Sequence, residues 1–168
     1  IKKGTARQIY TLLLSSFYIK QPKQIIGITG TNGKTSTVEF CRQLWALAGW
    51  KAASMGTLGT KTETAINKSV FKNNEENLTT FEPSDLYKKL NFLVEEKISH
   101  LALEASSHGI DQYRLDGVNF SGAVFTNLSH DHLDYHGNTA NYFSTKKRLF
   151  TKVLKNNSAI SINIDDIY

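Results

Sequence analysis

At 168 residues, with 40% hydrophobic and 21% charged side chains, the chain can form one domain with a sizeable core and has the composition of an ordinary globular protein. No apolar run approaches the roughly 20 residues of a membrane span. No secretory leader is expected from Ile1-Lys2-Lys3-Gly4, and the single Cys41 excludes an internal disulfide and fits a reducing, cytoplasmic setting. The formal net charge is +5, with much of the excess at Lys146-Lys147-Arg148, Lys152 and Lys155. That cluster reads as a solvated helix face or as an attraction for polyanionic small molecules such as nucleotides. A nucleic-acid partner is not expected, because no basic stripe with stacking aromatics is present.

In chain order, Thr5 to Tyr18 has Ile9, Leu12, Leu13 and Phe17 at helical spacing and reads as an amphipathic helix ended by Pro22. Ile25 to Thr29 is a buried strand. Val38 to Ala48 is a helix carrying Val38, Cys41, Leu44, Trp45 and Ala48 on one side, with Gly49 as its stop. Lys51 to Ser54 is a short strand, followed by a second glycine loop, Gly56-Thr57-Leu58-Gly59-Thr60. From Lys61 to Asn77 the pattern is polar, and Thr62, Thr64, Ile66, Val70 and Phe71 suggest a hairpin or irregular excursion. Ser84 to Glu96 is a helix with Ser84 as its N-cap and Leu86, Leu90 and Leu93 inward. Ile98 to Glu104 and Gly122 to Thr126 are strands, the second apolar on both faces. Thr139 to Leu154 is a helix and Ala159 to Ile164 a last strand. Strands alternating with helices predict an α/β fold with a mostly parallel sheet flanked by helices. Each notable polar motif falls just after a strand, so the motifs converge on the carboxyl edge of that sheet.

The chain is organised around Gly27-Ile28-Thr29-Gly30-Thr31-Asn32-Gly33-Lys34-Thr35-Ser36-Thr37, a strand, a glycine loop, Lys-Thr and a helix. Glycines let several backbone N–H groups point into one concavity, and the helix N-terminus adds partial positive charge. Lys34 supplies an ammonium for terminal phosphates and the Thr35 hydroxyl a magnesium ligand. The strict G-x-x-x-x-G-K-[ST] pattern fails at Ile28, which leaves the shorter Gly30 to Thr35.

Glu104 ends a buried strand and needs a partner, either nucleotide magnesium or a local Lys or backbone N–H. His130, Asp131, His132, Asp134 and His136 crowd the loop that follows Phe125. A zinc site is one reading, without a Cys pair or H-E-x-x-H spacing. The other is a magnesium or nucleotide role for one histidine, the rest being polar surface. Lys146, taken alone, is a surface cation.

These motifs resemble the Mur ligases, most closely the E type, over about Ile25 to Asp166. The family's short G-T-x-G-K-[ST] is matched by Gly30 to Thr35. Its E-x-S-S-H-x-x-x-Q-x-R is matched by Glu104, Ser106, Ser107, His108, Gln112 and Arg114. Its T-N-L-[ST]-x-D-H-L-D-Y-H-G is matched by Thr126 to Gly137, its K-x-x-L-[FY] by Lys146, Leu149 and Phe150, and its N-L-T-T by Asn77 to Thr80. Where the family continues T-T-P-E, this chain has Thr80-Phe81-Glu82-Pro83, and no role is carried over to Glu82.

The resemblance implies a P-loop NTPase-like central ATP-binding domain, truncated at its C-terminal end, without the family's N-terminal UDP-binding and C-terminal amino-acid-binding domains. It implies ATP on Gly30, Thr31, Asn32, Gly33, Lys34, Thr35, Ser36 and Asn127. It implies Mg2+ on Thr35, Glu104 and His132 and on Lys146 as a carbamate, with Lys34, Glu104, His132 and Lys146 catalytic. Thr79, Thr80, Ser106, Gln112 and Arg114 would contact UDP-N-acetylmuramoyl-L-alanyl-D-glutamate, to which an amino acid, meso-diaminopimelate or lysine, is joined through an acyl phosphate. A cytoplasmic monomer is expected, and the fragment alone would not ligate. Sister ligases (folylpolyglutamate or cyanophycin synthetase-like), a P-loop switch or motor, and a non-catalytic nucleotide-binding module are the alternatives. Ser106 to Arg114 favours the E type over the sister ligases. A Glu rather than an Asp at the strand end speaks against the switch.

Overall fold

The computed structural model describes residues 3–63 and 78–166. The strands are β1 (Gln24–Thr29), β2 (Ala52–Gly56), β3 (Gly59–Thr62), β4 (His100–Glu104), β5 (Gly122–Phe125) and β6 (Ala159–Ile162). The helices are α1 (Lys3–Phe17), α2 (Lys34–Leu47), α3 (Pro83–Glu95), α4 (Ser107–Asp111), α5 (Leu133–His136) and α6 (Thr139–Arg148), and a π-helical turn, Leu149–Val153, continues α6. The sheet order is β3-β2-β4-β1-β5-β6. All neighbours are parallel except β2 and β3, which form a hairpin.

The chain leaves β1 through α2 towards β2, fills the gap with β4, and then crosses to the other side of β1 as β5. The direction of winding therefore reverses at β1. In open parallel sheets that reversal opens a crevice at the carboxyl ends of the strands. Residues 30–35 leave β1 at that point.

The two faces of β1 separate by parity, as alternating strand side chains require. Ile25 joins Ala53, Met55, Leu101 and Leu103 in one core, covered by Leu86, Leu90 and Leu93 of α3. Ile26 and Ile28 join Ala102 and Val124 in the other, covered by Val38, Cys41 and Trp45 of α2. The α/β fold with a mostly parallel, helix-flanked sheet is thus observed.

Several local expectations are corrected. The stripe of α1 faces outward: Ile9, Leu12, Leu13 and Phe17 are exposed, and the helix packs through buried Thr11 and half-buried Leu14. On α2, Leu44 is exposed, Ala48 lies just past the helix end on the surface, and Arg42 is buried, held by Glu39 and Glu63. Hydrophobic spacing shows that a helix has an apolar stripe; it does not show what that stripe meets. Ser84 is not the cap of α3. Glu82 takes that place with extended backbone and Pro83 begins the helix, where its missing N–H costs nothing. The second glycine loop is the β2–β3 hairpin, with only Thr57 and Leu58 in its turn. The helix expected over residues 139–154 leaves α geometry after Arg148. Thr64, Ile66, Val70, Phe71 and Asn77 lie outside the described residues.

Candidate functional site

The glycine loop is braced by the segment that follows β5. Gly30 has φ 144° and Gly33 φ 80°, backbone that favours glycine. A Cβ on Gly30 would sit 1.9 Å from Thr126 Oγ1. The Thr31 N–H donates to Asn127 O (2.9 Å) and the Asn32 N–H to Asn127 Oδ1 (2.9 Å). Thr126 Oγ1 donates to Asn32 O (2.7 Å), and the Ser129 N–H donates to Thr31 Oγ1 (2.9 Å). Asn127, expected at the nucleotide, braces the loop through its main-chain and side-chain oxygens. Asn32, Gly33 and Ser36 are exposed and Thr35 is half-buried at the start of α2.

Lys34 folds back over the loop, donating to Gly30 O (3.0 Å) and Thr31 O (2.7 Å). Lys146 reaches the same Gly30 oxygen from α6, at 2.7 Å, and is 1% exposed. It is not a surface cation. Burial, with the Lys34 charge beside it, brings its pKa down to about 7. Burial also lowers Lys34, opposed by the Glu104 and Asp131 carboxylates. Two ammonium groups on one carbonyl oxygen leave the site short of negative charge.

Glu104, 1% exposed, ends β4 opposite Ile28 of β1. Its Oε1 accepts the Thr57 N–H (3.0 Å) and its Oε2 lies 3.3 Å from the Thr57 hydroxyl. The local backbone N–H expected as one possible partner is therefore present. Lys34 feels the carboxylate electrostatically.

Across the cavity, His132 begins α5 in left-handed backbone (φ 51°), a strained conformation that clusters at functional sites. Its Nε2 is 3.5 Å from Asp131, and its ring meets His108 edge-on at 5.0 Å. The Tyr135 hydroxyl donates to Asp111 Oδ2 (2.8 Å), which pins this loop to α4. His130 is exposed, and His136 is buried against Tyr142. Burial lowers the pKa of His108 and of His136. Among the described residues no three His, Cys, Asp or Glu side chains converge to hold a metal, so the zinc reading has no ligand set there. A hard divalent cation needs less from the protein: one carboxylate and a hydroxyl complete an octahedron with water and phosphate oxygens. Buried Glu104 beside the phosphate loop, with Thr35 at the helix start, fits magnesium of that kind.

The expected substrate group also gathers here. Thr80 Oγ1 donates to Glu104 O (2.9 Å) and accepts the Ser106 N–H (2.9 Å). Ser106 caps α4 by accepting the Gly109 N–H (3.1 Å). Arg114 Nη1 donates to Thr80 O (2.6 Å), and Nη2 donates to Gln112 Oε1 (2.8 Å) and pairs with Glu82 (2.6 Å). Glu82, to which no role was carried over, thus shares the arginine. Phe81 is buried, with the Lys89 ammonium 3.7 Å from its ring centre. Thr79, Thr80, Ser106, Gln112 and Arg114 line a cavity of about 300 Å³ together with Lys34, His132 and Lys146.

His108 and Tyr142 line it too, and Thr57 holds Glu104 from its edge. Sequence reasoning gave these three no role. The signal for Thr57 was its place in a glycine-flanked turn after a strand; Tyr142 carried none.

Comparison with known proteins gives the family. Residues 28–168 match the model of the Mur ligase middle domain. The chain is 46% identical over 158 residues to the UDP-N-acetylmuramoyl-L-alanyl-D-glutamate–2,6-diaminopimelate ligase of Anaplasma marginale, covering 94% of this chain and 32% of that protein. It is 42% identical over 160 residues to the ligase of the same name from Brucella melitensis, covering 95% and 31%. A solved structure of a ligase of that name superposes with a TM-score of 0.77 at 34% identity, over 96% of this chain and 31% of the other. The chain spans about a third of the length of these relatives. With a family model running from within β1 to the end of the sequence, this chain belongs to the Mur ligase family and corresponds to its middle domain.

Proposed function

We propose that the protein to which this domain belongs joins an amino acid to UDP-N-acetylmuramoyl-L-alanyl-D-glutamate in peptidoglycan synthesis, forming ADP through an acyl phosphate. One observation carries the reading: the phosphate-loop lysine, His132 and Lys146 line the same 300 Å³ cavity as Thr79, Thr80, Ser106, Gln112 and Arg114, and the buried carboxylate Glu104 acts electrostatically on that lysine. The partners are ATP, the UDP-muramoyl-dipeptide and the amino acid, which is 2,6-diaminopimelate in the names of the relatives above. In this reading the whole protein is a cytoplasmic monomer whose other domains bind the uridine end and deliver the amino acid.

The chemistry brings two anions together, a carboxylate and a phosphoryl group. Magnesium, when bound, neutralises phosphate charge. The chain's own residues do the rest. The N–H groups at the start of α2 hold phosphate oxygens. Lys34 turns from the Gly30 and Thr31 carbonyls to the terminal phosphate and stabilises its charge in the transition state. Glu104 and Thr35 would hold one magnesium, and His132 would help hold a second. Arg114, fixed by Thr80 O and Gln112, exchanges its Glu82 partner for the carboxylate of the substrate. No covalent enzyme intermediate is needed, and Cys41 stays in the core.

Lys146 fits a carbamate. At neutral pH a large share of its amines is unprotonated, because its pKa is about 7. That amine adds to carbon dioxide, forming an N–C bond and releasing one proton. The product is an anion where two cations now share one oxygen.

The full-length protein is tested with ATP, UDP-muramoyl-dipeptide, and diaminopimelate, lysine and other amino acids. Amide product with stoichiometric ADP is expected, and none with any amino acid overturns the reading. The isolated 168 residues should bind nucleotide weakly and ligate nothing. Lys146→Ala should lose activity and regain part of it with added short carboxylates; full activity without them overturns the carbamate.

A further inference from the structure

We propose that Thr57 is a positioning residue that couples the metal carboxylate to the substrate loop; the inference rests on the ligase reading above. Thr57 lies in the β2–β3 turn and grips both oxygens of Glu104, by its N–H at 3.0 Å and its hydroxyl at 3.3 Å. The same hydroxyl lies 3.1 Å from Thr79 Oγ1. Both hydroxyl distances exceed the roughly 2.7–2.8 Å of a committed O–H···O bond. That is the geometry of one proton shared between two acceptors.

The two contacts compete. Thr57 has one hydroxyl proton, and it points to Glu104 or to Thr79 at any moment. A divalent cation that draws Glu104 Oε2 to itself withdraws that acceptor, and the proton passes to Thr79. Thr79 then accepts from Thr57 and turns its own proton into the cavity, towards the muramoyl-dipeptide. The backbone N–H keeps Oε1 in place throughout. Thr80 is hooked to the Glu104 carbonyl at 2.9 Å, so the loop cannot drift away while the hydroxyl switches.

The turn is fitted to this task. A Cβ at Gly56 would lie 2.1 Å from Glu104 Oε1, so the hairpin is packed against the carboxylate. Thr57 itself is exposed, and the hairpin is held by β2–β3 backbone pairing, which does not use its hydroxyl. The hydroxyl can therefore be removed without touching the fold. Residues that orient metal ligands typically change metal affinity by about 10–100-fold when removed.

The test uses the full-length protein with Mn2+ as a paramagnetic probe and ADP. Mn2+ affinity is titrated by electron paramagnetic resonance with and without UDP-muramoyl-dipeptide, beside kcat and KM for the dipeptide. In the wild type, dipeptide should tighten Mn2+ binding several-fold. Thr57→Val, isosteric and equal in melting temperature, should weaken Mn2+ binding about tenfold. It should also abolish the effect of dipeptide and raise the dipeptide KM. Thr57→Ser should restore all three, and Thr57→Ala repeats the Val measurement. Variants that keep both the Mn2+ affinity and the dipeptide effect within twofold of wild type overturn the proposal, as does failure of Thr57→Ser to rescue. A wild type that binds neither Mn2+–ADP nor dipeptide overturns the ligase reading instead, and this inference with it.

Discussion

Lys146 and Lys34 both donate to the Gly30 carbonyl, and the consequence for Lys146 is measurable without any substrate. Its pKa falls from 10.5 in the unfolded chain to about 7 in the folded one. Below pH 7 both states carry the proton, and the penalty for burying the charge is fully present. Between pH 7 and 10.5 the unfolded state binds more protons, so this group makes stability rise with pH. Lys146→Met removes the penalty and fills the space. In CO2-free buffer the variant should be more stable than wild type by about 1–4 kcal/mol at pH 6, the range for replacing buried charge by apolar side chains. The margin should shrink towards pH 10, read by urea melts at both pH values; a margin independent of pH sinks the account. The sequence placed Lys146 at the site only by resemblance, because its helix reads as a basic surface until α6 is docked on the loop. Gly30 makes a second case. Gly30→Ala would drive a methyl into Thr126 Oγ1 and demand φ 144° of a residue with a Cβ. It should abolish nucleotide binding, measured by calorimetry, before it abolishes folding.

At the scale of elements, α1 and α3 show what hydrophobic spacing does and does not decide. Both carry leucines at helical intervals. Leu86, Leu90 and Leu93 of α3 are fully buried against Leu101 and Leu103, whereas Leu13 of α1 is 65% exposed. Leu90→Ala should cost about 2–5 kcal/mol, lost transfer energy plus a cavity. Leu13→Ala should stay within about 0.5 kcal/mol, the range of ordinary surface changes. Equal losses in chemical denaturation would show that α1 packs elsewhere. Helix existence was legible because periodicity is local. Facing was not, because it depends on which neighbour the turn beyond Pro22 brings to each side. The short helices α4 and α5 were missed for a related reason. Each is a single capped turn, Ser106 capping one and His132 starting the other, too short for any period to show.

For the molecule as a whole, the sheet order makes β1 and β4 the central strands, each paired on both sides, and leaves β6 at an edge with exposed side chains. Amide hydrogen exchange should therefore be slowest in residues 25–29 and 101–104 and fastest in α1 and β6. Fast exchange in β1 would contradict the topology. The class of fold, the glycine loop and the order of the motifs were legible in the chain alone, because strand and helix periods and glycine-rich turns are local properties. The sequence also placed the glycine loop, Glu104 to Arg114 and Thr126 to Gly137 after strands, which is enough to bring those three to one edge of a parallel sheet. Which atoms meet there depends on the packed sheet. The crossing from β4 over β1 to β5 brings Asn127 and α6 onto the loop, and the pairing of β2 with β4 brings Thr57 onto Glu104. These contacts join residues as far as 116 positions apart, Lys146 to Gly30. No local pattern encodes such a pairing, because it is set by the winding of the whole sheet.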